Sequence, residues 1–154
     1  IRSVIEILKN KVGMTLFLGD NVNDILLMAD CFPGLTFRYV WGNCDFGGYP
    51  VLKTIFDVCG KRIFMTHGHR YSVKSDRQRI IYAAKEAEAD ICLFGHTHEP
   101  DNFEIGGIHF LNPGSVNLPR GLSSCPSYGV IDIDNNVVNC SVIGIKDGCF
   151  KRIM

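Results

Sequence analysis

The chain has 154 residues and no CxxC pair among its seven cysteines, no long block of like charge and no apolar stretch that could cross a bilayer. Each absence argues against a class of protein. Cys31, Cys44, Cys59, Cys92, Cys125, Cys140 and Cys149 are odd in number and widely spaced, a pattern that argues against a disulfide scaffold or a zinc ribbon. They read instead as small buried apolar groups or free thiols in a reducing compartment, with Cys44 set apart. Lysine plus arginine and aspartate plus glutamate stand at 16 each, so nothing points to a nucleic-acid surface or an anionic membrane. The runs TLFL and IFM fall far short of the ~20 residues of a membrane helix. No basic start leads into an apolar run, as a secretory signal would. The expectation is a cytoplasmic protein forming one domain over residues 1–154.

Helical and extended patterns alternate along the chain. Ile1, Val4, Ile5 and Leu8 lie at the spacing of one helical face, and DILLMAD at 24–30 reads as a short helix closed by Pro33-Gly34. TLFL and LTFRYVW read as strands, and VLKTIFDVC with RIFMT as a hairpin broken at Gly60-Lys61. Ser75 and Gln78 have capping-box spacing, which predicts a helix over about 76–89 leading into the strand ICLF. IHFL, SYGVIDI and VVNCSVI are short alternating strands, the last two divided at Asp134-Asn135-Asn136. Mixed strands and helices with a β-rich tail predict an α/β sandwich.

The chemistry gathers at strand ends. Four apolar strands each run into a glycine-containing polar motif: TLFL-GD, YVW-GNCD, FMT-HGH and CLF-GHTH. Ligands of α/β sheets bind beyond the carboxyl ends of strands, where neighbouring loops converge, and glycine permits a sharp turn or a close approach there. The motifs deliver Asp20, Asn43, His67, His96 and His98, a donor set suited to a borderline divalent ion such as Mn, Fe, Zn or Ni. In an extended segment the alternate residues His96 and His98 would turn to one point, and so would His67 and His69. Each motif alone has a plain turn or cap reading; four of them at four strand ends favour a shared site. His109, inside IHFL, has no partner at ligand spacing and reads as structural.

In this order, and followed by Asn112-Pro113-Gly114-Ser115, these motifs resemble the calcineurin-like metallophosphoesterases, with the small prokaryotic phosphodiesterases the nearest branch because they share GNCD. The resemblance implies a four-layer αββα sandwich with two mixed β-sheets. It also implies two divalent ions, Mn foremost, bridged by a carboxylate and a water or hydroxide. Carried over by motif, Asp20 is the bridge, Asn43, His67 and His96 complete one metal site, and His98 belongs to the other. The implied activity is hydrolysis of small phosphodiesters by a metal-bound hydroxide. The alternative is a protein-binding scaffold of the same fold, like the retromer subunit. His69 is a candidate for phosphate contact or proton donation, and Arg120 for phosphate binding.

Two departures from the family pattern matter. The family's Asp-x-His motif does not precede Asp20, and the first residues already read as helix. The domain is therefore expected to lack its first strand here, leaving Asp20 and His98 as the remaining ligands of one metal site. Cys44 stands where the protein phosphatases of the family carry a leaving-group histidine. A thiol with pKa near ~8.5 is the poorer acid, which favours substrates with good leaving groups. Asp45, without that histidine, is expected to hold a backbone amide. The resemblance also suggests a homodimer or larger homo-oligomer.

Overall fold

The computed structural model describes residues 1–121 and 125–154. Its centre is the strand Lys61–Thr66 (β4), which alternates between two cores: Ile63 and Met65 are buried on one face and Phe64 on the other. Ile91–Leu93 (β5) does the same with Ile91 and Leu93 against Cys92, so strands buried on both sides read as continuous apolar runs. Lys53–Val58 (β3) pairs antiparallel with β4, and β4 and β5 run parallel. Pro100–Ile105 (β6) and Ile108–Pro113 (β7) complete a mixed five-stranded sheet in the order β3-β4-β5-β7-β6.

The helix Gln78–Glu86 (α3) covers one face of this sheet, seating Ile80 and Ala84 on Phe64, Cys92 and Phe110. Against the other face lie Met14–Phe17 (β1), Thr36–Tyr39 (β2), Ser127–Asp134 (β8), Val137–Lys146 (β9) and Cys149–Arg152 (β10). Met14, Leu16, Ile131, Ile133 and Val142 from this layer meet Ile63, Leu93 and Leu111. The helices Arg2–Leu8 (α1) and Val22–Cys31 (α2) close the outside, with Ile5, Val22, Ile25 and Phe32 on Phe17, Phe37 and Tyr39. The result is the expected αββα sandwich.

The second strand layer comes in two pieces, a parallel β1-β2 pair and an antiparallel β10-β9-β8 sheet. Between β1 and β8 runs a groove of about 1250 Å³ with Ile63, Leu93 and Leu111 among its lining residues. Among the described residues each of these two strands is paired on one side only.

Some local expectations need correction. Ser75 does not cap α3: the helix starts at Gln78, whose N–H donates to Asp76 Oδ1 at 2.8 Å, and it ends at Glu86. Asp76 wins because its carboxylate stands two residues before the first free amide, the reach of an Asx turn. β6 and β10 went unread because PDNFEI and CFKR lack alternation of β-branched residues; pairing with a neighbouring strand fixes them. Of the cysteines only Cys92 and Cys140 are buried. Cys31, Cys44, Cys59 and Cys149 are exposed and Cys125 is intermediate, all as free thiols. Among the described residues no helix is long and apolar enough to cross a membrane.

Candidate metal centre

The loops after β1, β2, β4 and β5 meet at one end of the sandwich. Two of them touch through glycine. A β-carbon on Gly19 would stand 2.4 Å from the Gly42 nitrogen, and one on Gly42 would stand 2.5 Å from the Asp20 nitrogen, so both backbones come closer than any side chain allows. Asp45 locks the approach: its carboxylate accepts N–H bonds from Asp20 (2.9 Å), Val22 (2.7 Å) and Gly42 (2.8 Å). The expectation of one backbone amide is thus exceeded.

Asp20, Asn21, His96 and His98 all adopt left-handed backbone, with φ of 62°, 69°, 70° and 64°. Each such residue costs about 1–3 kcal/mol of local strain, and a cluster of them at convergent loops is the signature of a positioned site. This overturns the idea that His96 and His98 converge by strand alternation. β5 ends at Leu93, and successive left-handed turns aim the two rings separately. His96 goes to His67, with its Nδ1 3.2 Å from His67 Nε2, and His98 goes to Asp20, with its Nε2 4.0 Å from Oδ2. His69 likewise is not extended. Gly68 at φ 104° turns the chain into a 3-10 turn over His69–Tyr71, which still leaves the ring 5.3 Å from that of His67.

The protons on these rings are fixed from outside. His67 Nδ1 stands 2.6 Å from the Leu18 carbonyl and His98 Nδ1 2.9 Å from that of Leu118, so each Nδ1–H donates outward and each Nε2 keeps its lone pair inward. His67 Nε2 is then surrounded by His96 Nδ1 at 3.2 Å, Asn43 Oδ1 at 3.2 Å and Asp20 Oδ2 at 3.5 Å. The Asn43 amide nitrogen is turned away to Cys44 Sγ at 3.3 Å, and Cys44 N–H donates to Asp20 Oδ1 at 2.9 Å. His67 Nε2, Asn43 Oδ1 and Asp20 Oδ2 are acceptors that repel one another unless His96 Nδ1 carries a proton toward them or a cation sits among them. Their spacing also suits one, since ligands ~2.1 Å from an ion in tetrahedral array lie ~3.4 Å apart.

Residues and ion therefore fit in donor type and spacing. Among the described residues, no group of three or more His, Cys, Asp or Glu side chains stands ready to hold an ion by itself. The set relies on the Asn43 amide oxygen and on small inward side-chain movements. Asp20, Asn43, His67 and His96 would hold one ion, with Asp20 and His98 facing a second position.

Burial sets the charge state of the cluster. It holds His67 below the usual imidazole range, against the pull of the Leu18 carbonyl and Asp20, and it brings His96 down to about 4 with help from the Lys74 ammonium. Both rings are neutral at pH 7, the state a metal needs. For the metal-free protein, linkage gives the opposite sign of a stabilising pair. Above pH ~6.5 the rings are neutral folded or unfolded; below it the unfolded chain takes up protons that the folded one refuses. Unfolding by urea in the presence of chelator is therefore expected to show stability falling from pH ~6.5 towards 4, and His96→Ala is expected to flatten that slope.

Three residues of the site escaped the sequence reading or were underused by it. Lys74 lines the same cavity as Asp20, Asn43 and His96, and no carboxylate among the described residues lies within ion-pair distance of it. No spacing rule flags it, because a loop brings it in. Asn112 is fully buried and spends its amide on Gly95 O (3.2 Å) and Thr97 Oγ1 (2.9 Å), which holds the GHTH loop from below. Asp45 was noted only as a partner of one amide. Of the remaining candidates, Arg120 is exposed at the cavity rim, and its backbone N–H donates to the His98 carbonyl at 3.0 Å. His109 is structural as expected, sitting opposite Glu104 with its Nδ1 3.8 Å from that carboxylate.

The chain is 33% identical over 100 residues to the probable metallophosphoesterase YsnB of Bacillus subtilis, covering 65% of this chain and 59% of that protein. It is 36% identical over 87 residues to phosphodiesterase YfcE of Escherichia coli, covering 56% of this chain and 41% of that one. The matched region thus spans well under two thirds of the length of these curated relatives. Among solved structures, a predicted phosphoesterase from Streptococcus pneumoniae superposes with a TM-score of 0.79 at 29% identity, over 98% of this chain and 87% of that one. Zinc-complexed Vps29 from Entamoeba histolytica shares the fold, with a TM-score of 0.78 at 23% identity over 99% of this chain and 87% of its own. The model of the calcineurin-like phosphoesterase superfamily domain matches residues 1–136, and the chain belongs to that superfamily.

Proposed function

We propose that the protein is a metal-dependent phosphodiesterase acting on small phosphodiesters at the Asp20, Asn43, His67, His96 and His98 cluster, with Mn as the preferred ion. The observation that carries this reading is the convergence of Asp20, Asn43 and His96 on His67 Nε2. When bound, divalent ions at such a site activate water near neutral pH and neutralise charge on phosphate oxygens. The chain's own groups do the rest. Lys74 and Arg120 line the cavity and supply positive charge for a phosphate at its mouth. Asp45 and Asn112 hold the ligand loops in place.

Neither candidate proton donor is a strong acid at neutral pH. The Asp20 carboxylate, followed by burial, raises the Cys44 thiol above its ordinary range, so it stays protonated and gives its proton up poorly. Burial, followed by the neighbouring His67, lowers His69, so its ring is neutral and serves as a hydrogen-bonding group. Its Nδ1 is buried and has no hydrogen-bond partner among the described residues. The combination favours diesters whose leaving groups depart without full protonation.

The test is hydrolysis of bis(p-nitrophenyl) phosphate against dialkyl phosphate, with chelator and with added Mn. Mn-restored hydrolysis of the aryl diester is expected; a rate indifferent to chelator contradicts the reading. Lys74→Ala is expected to raise KM about three- to tenfold with little change in kcat, as loss of a charged phosphate contact at an exposed position does. Steady-state kinetics on the same substrate measures it. A scaffold of this fold, the second reading, is favoured by the likeness to Vps29 in sequence as well as in fold.

A further inference from the structure

Beside the cluster is a second cavity of about 460 Å³ whose walls are aromatic: Tyr39, Trp41, Phe46 and Tyr49, with Asn21 and Asn23 at the edge. It adjoins the metal-facing cavity: Asn21 and Cys44 line both. One loop builds the two sides. The backbone bond from Trp41 N–H to Val51 O, at 2.7 Å, closes a compact loop that presents Asn43 and Cys44 to the cluster and Phe46 and Tyr49 to the second cavity. Gly47 and Gly48, at φ 88° and 62°, form the tip between those two rings.

Phe46 is 88% exposed and Tyr49 97%, so neither ring contributes to the core. Large aromatics left in water beside a reactive centre mark a contact surface. The size is that of a small-molecule pocket. The Asn21 and Asn23 side chains have no hydrogen-bond partner among the described residues, and no lysine or arginine lines the pocket. An uncharged ring with polar edges fits these walls; a second phosphate does not.

We propose that this pocket receives the planar aromatic group of the phosphoester, an aryl or nucleobase ring, while its phosphate lies at the cluster. The proposal rests on the phosphodiesterase reading and names the substrate class for it. Stacking on Phe46 and Tyr49 positions the ester bond; neither ring takes part in the chemistry.

Trp41 is the chain's single tryptophan and reports on the pocket directly. In chelator, without turnover, its fluorescence is expected to be quenched saturably by phenyl phosphate and by adenosine monophosphate, and not by methyl phosphate. Phe46→Ala and Tyr49→Ala, both at exposed positions, are expected to weaken that binding about three- to tenfold each, the range of a lost ring contact. With Mn present, the same variants are expected to raise KM for aryl diesters and to leave dialkyl diesters unchanged. Equal quenching by phenyl and adenosine phosphates means stacking alone; tighter adenosine binding adds contacts from Asn21 and Asn23, and both support the pocket. Absence of quenching, or quenching undiminished in both variants, overturns it. Loss of hydrolysis with quenching retained would count against the phosphodiesterase reading and not against the pocket.

Discussion

Asp45→Ala is expected to lose stability and metal binding together, although its carboxylate is no ligand in the proposed site. Its two oxygens take three backbone amides from two loops, Asp20 and Val22 on one and Gly42 on the other. Hydrogen bonds to a charged acceptor contribute about 1.5–3 kcal/mol each; because Asp45 is half-exposed and the three bonds share one carboxylate they do not add fully, and a total loss on the order of 3–5 kcal/mol is expected. Without that clasp Gly19 and Gly42 have no reason to stay at their close approach, and Asp20 moves off the cluster. Urea unfolding and calorimetric Mn titration of the variant measure both effects. A folded Asp45→Ala protein with unchanged Mn affinity would show that the clasp does not position the site.

Asn43→Ala is expected to separate the two effects. Asn43 is exposed, and among the described residues its amide nitrogen contacts Cys44 Sγ while its oxygen faces His67 Nε2. Stability of the metal-free protein should stay within ~0.5 kcal/mol, the usual effect of a surface change. Metal affinity and hydrolysis should both fall by about 100-fold or more, because one of four inward donors is gone and supporting residues alone are worth 10–100-fold. Titration and kinetics on one preparation decide it. Full activity in the variant would remove the amide oxygen from the ligand set.

These two residues also show what the sequence could and could not carry. Asp20, Asn43, His67, His96 and His98 were legible because each lies in a glycine-containing motif at the end of an apolar strand, and strand ends in an α/β sandwich converge. The route by which they converge was not legible. Alternation in an extended chain predicted that His96 and His98 act as a pair, whereas left-handed turns send one to His67 and the other to Asp20. Such turns are set by tertiary contacts, here the Asn112 amide beneath the loop, which a local pattern does not encode. Lys74 was invisible for the same reason: it reaches the cluster through the loop between the 3-10 turn and α3. The α/β sandwich was legible from the mixed helical and extended patterns and its four layers only through the family resemblance, yet β6 was missed because its partner, not its composition, makes it a strand.

Anomalous diffraction at the manganese edge from crystals grown with Mn tests the central claim most directly. The predicted result is a peak ~2.0–2.3 Å from His67 Nε2, His96 Nδ1, Asn43 Oδ1 and Asp20 Oδ2. A protein saturated with Mn that shows no peak among those four atoms, or shows it elsewhere on the surface, contradicts the account.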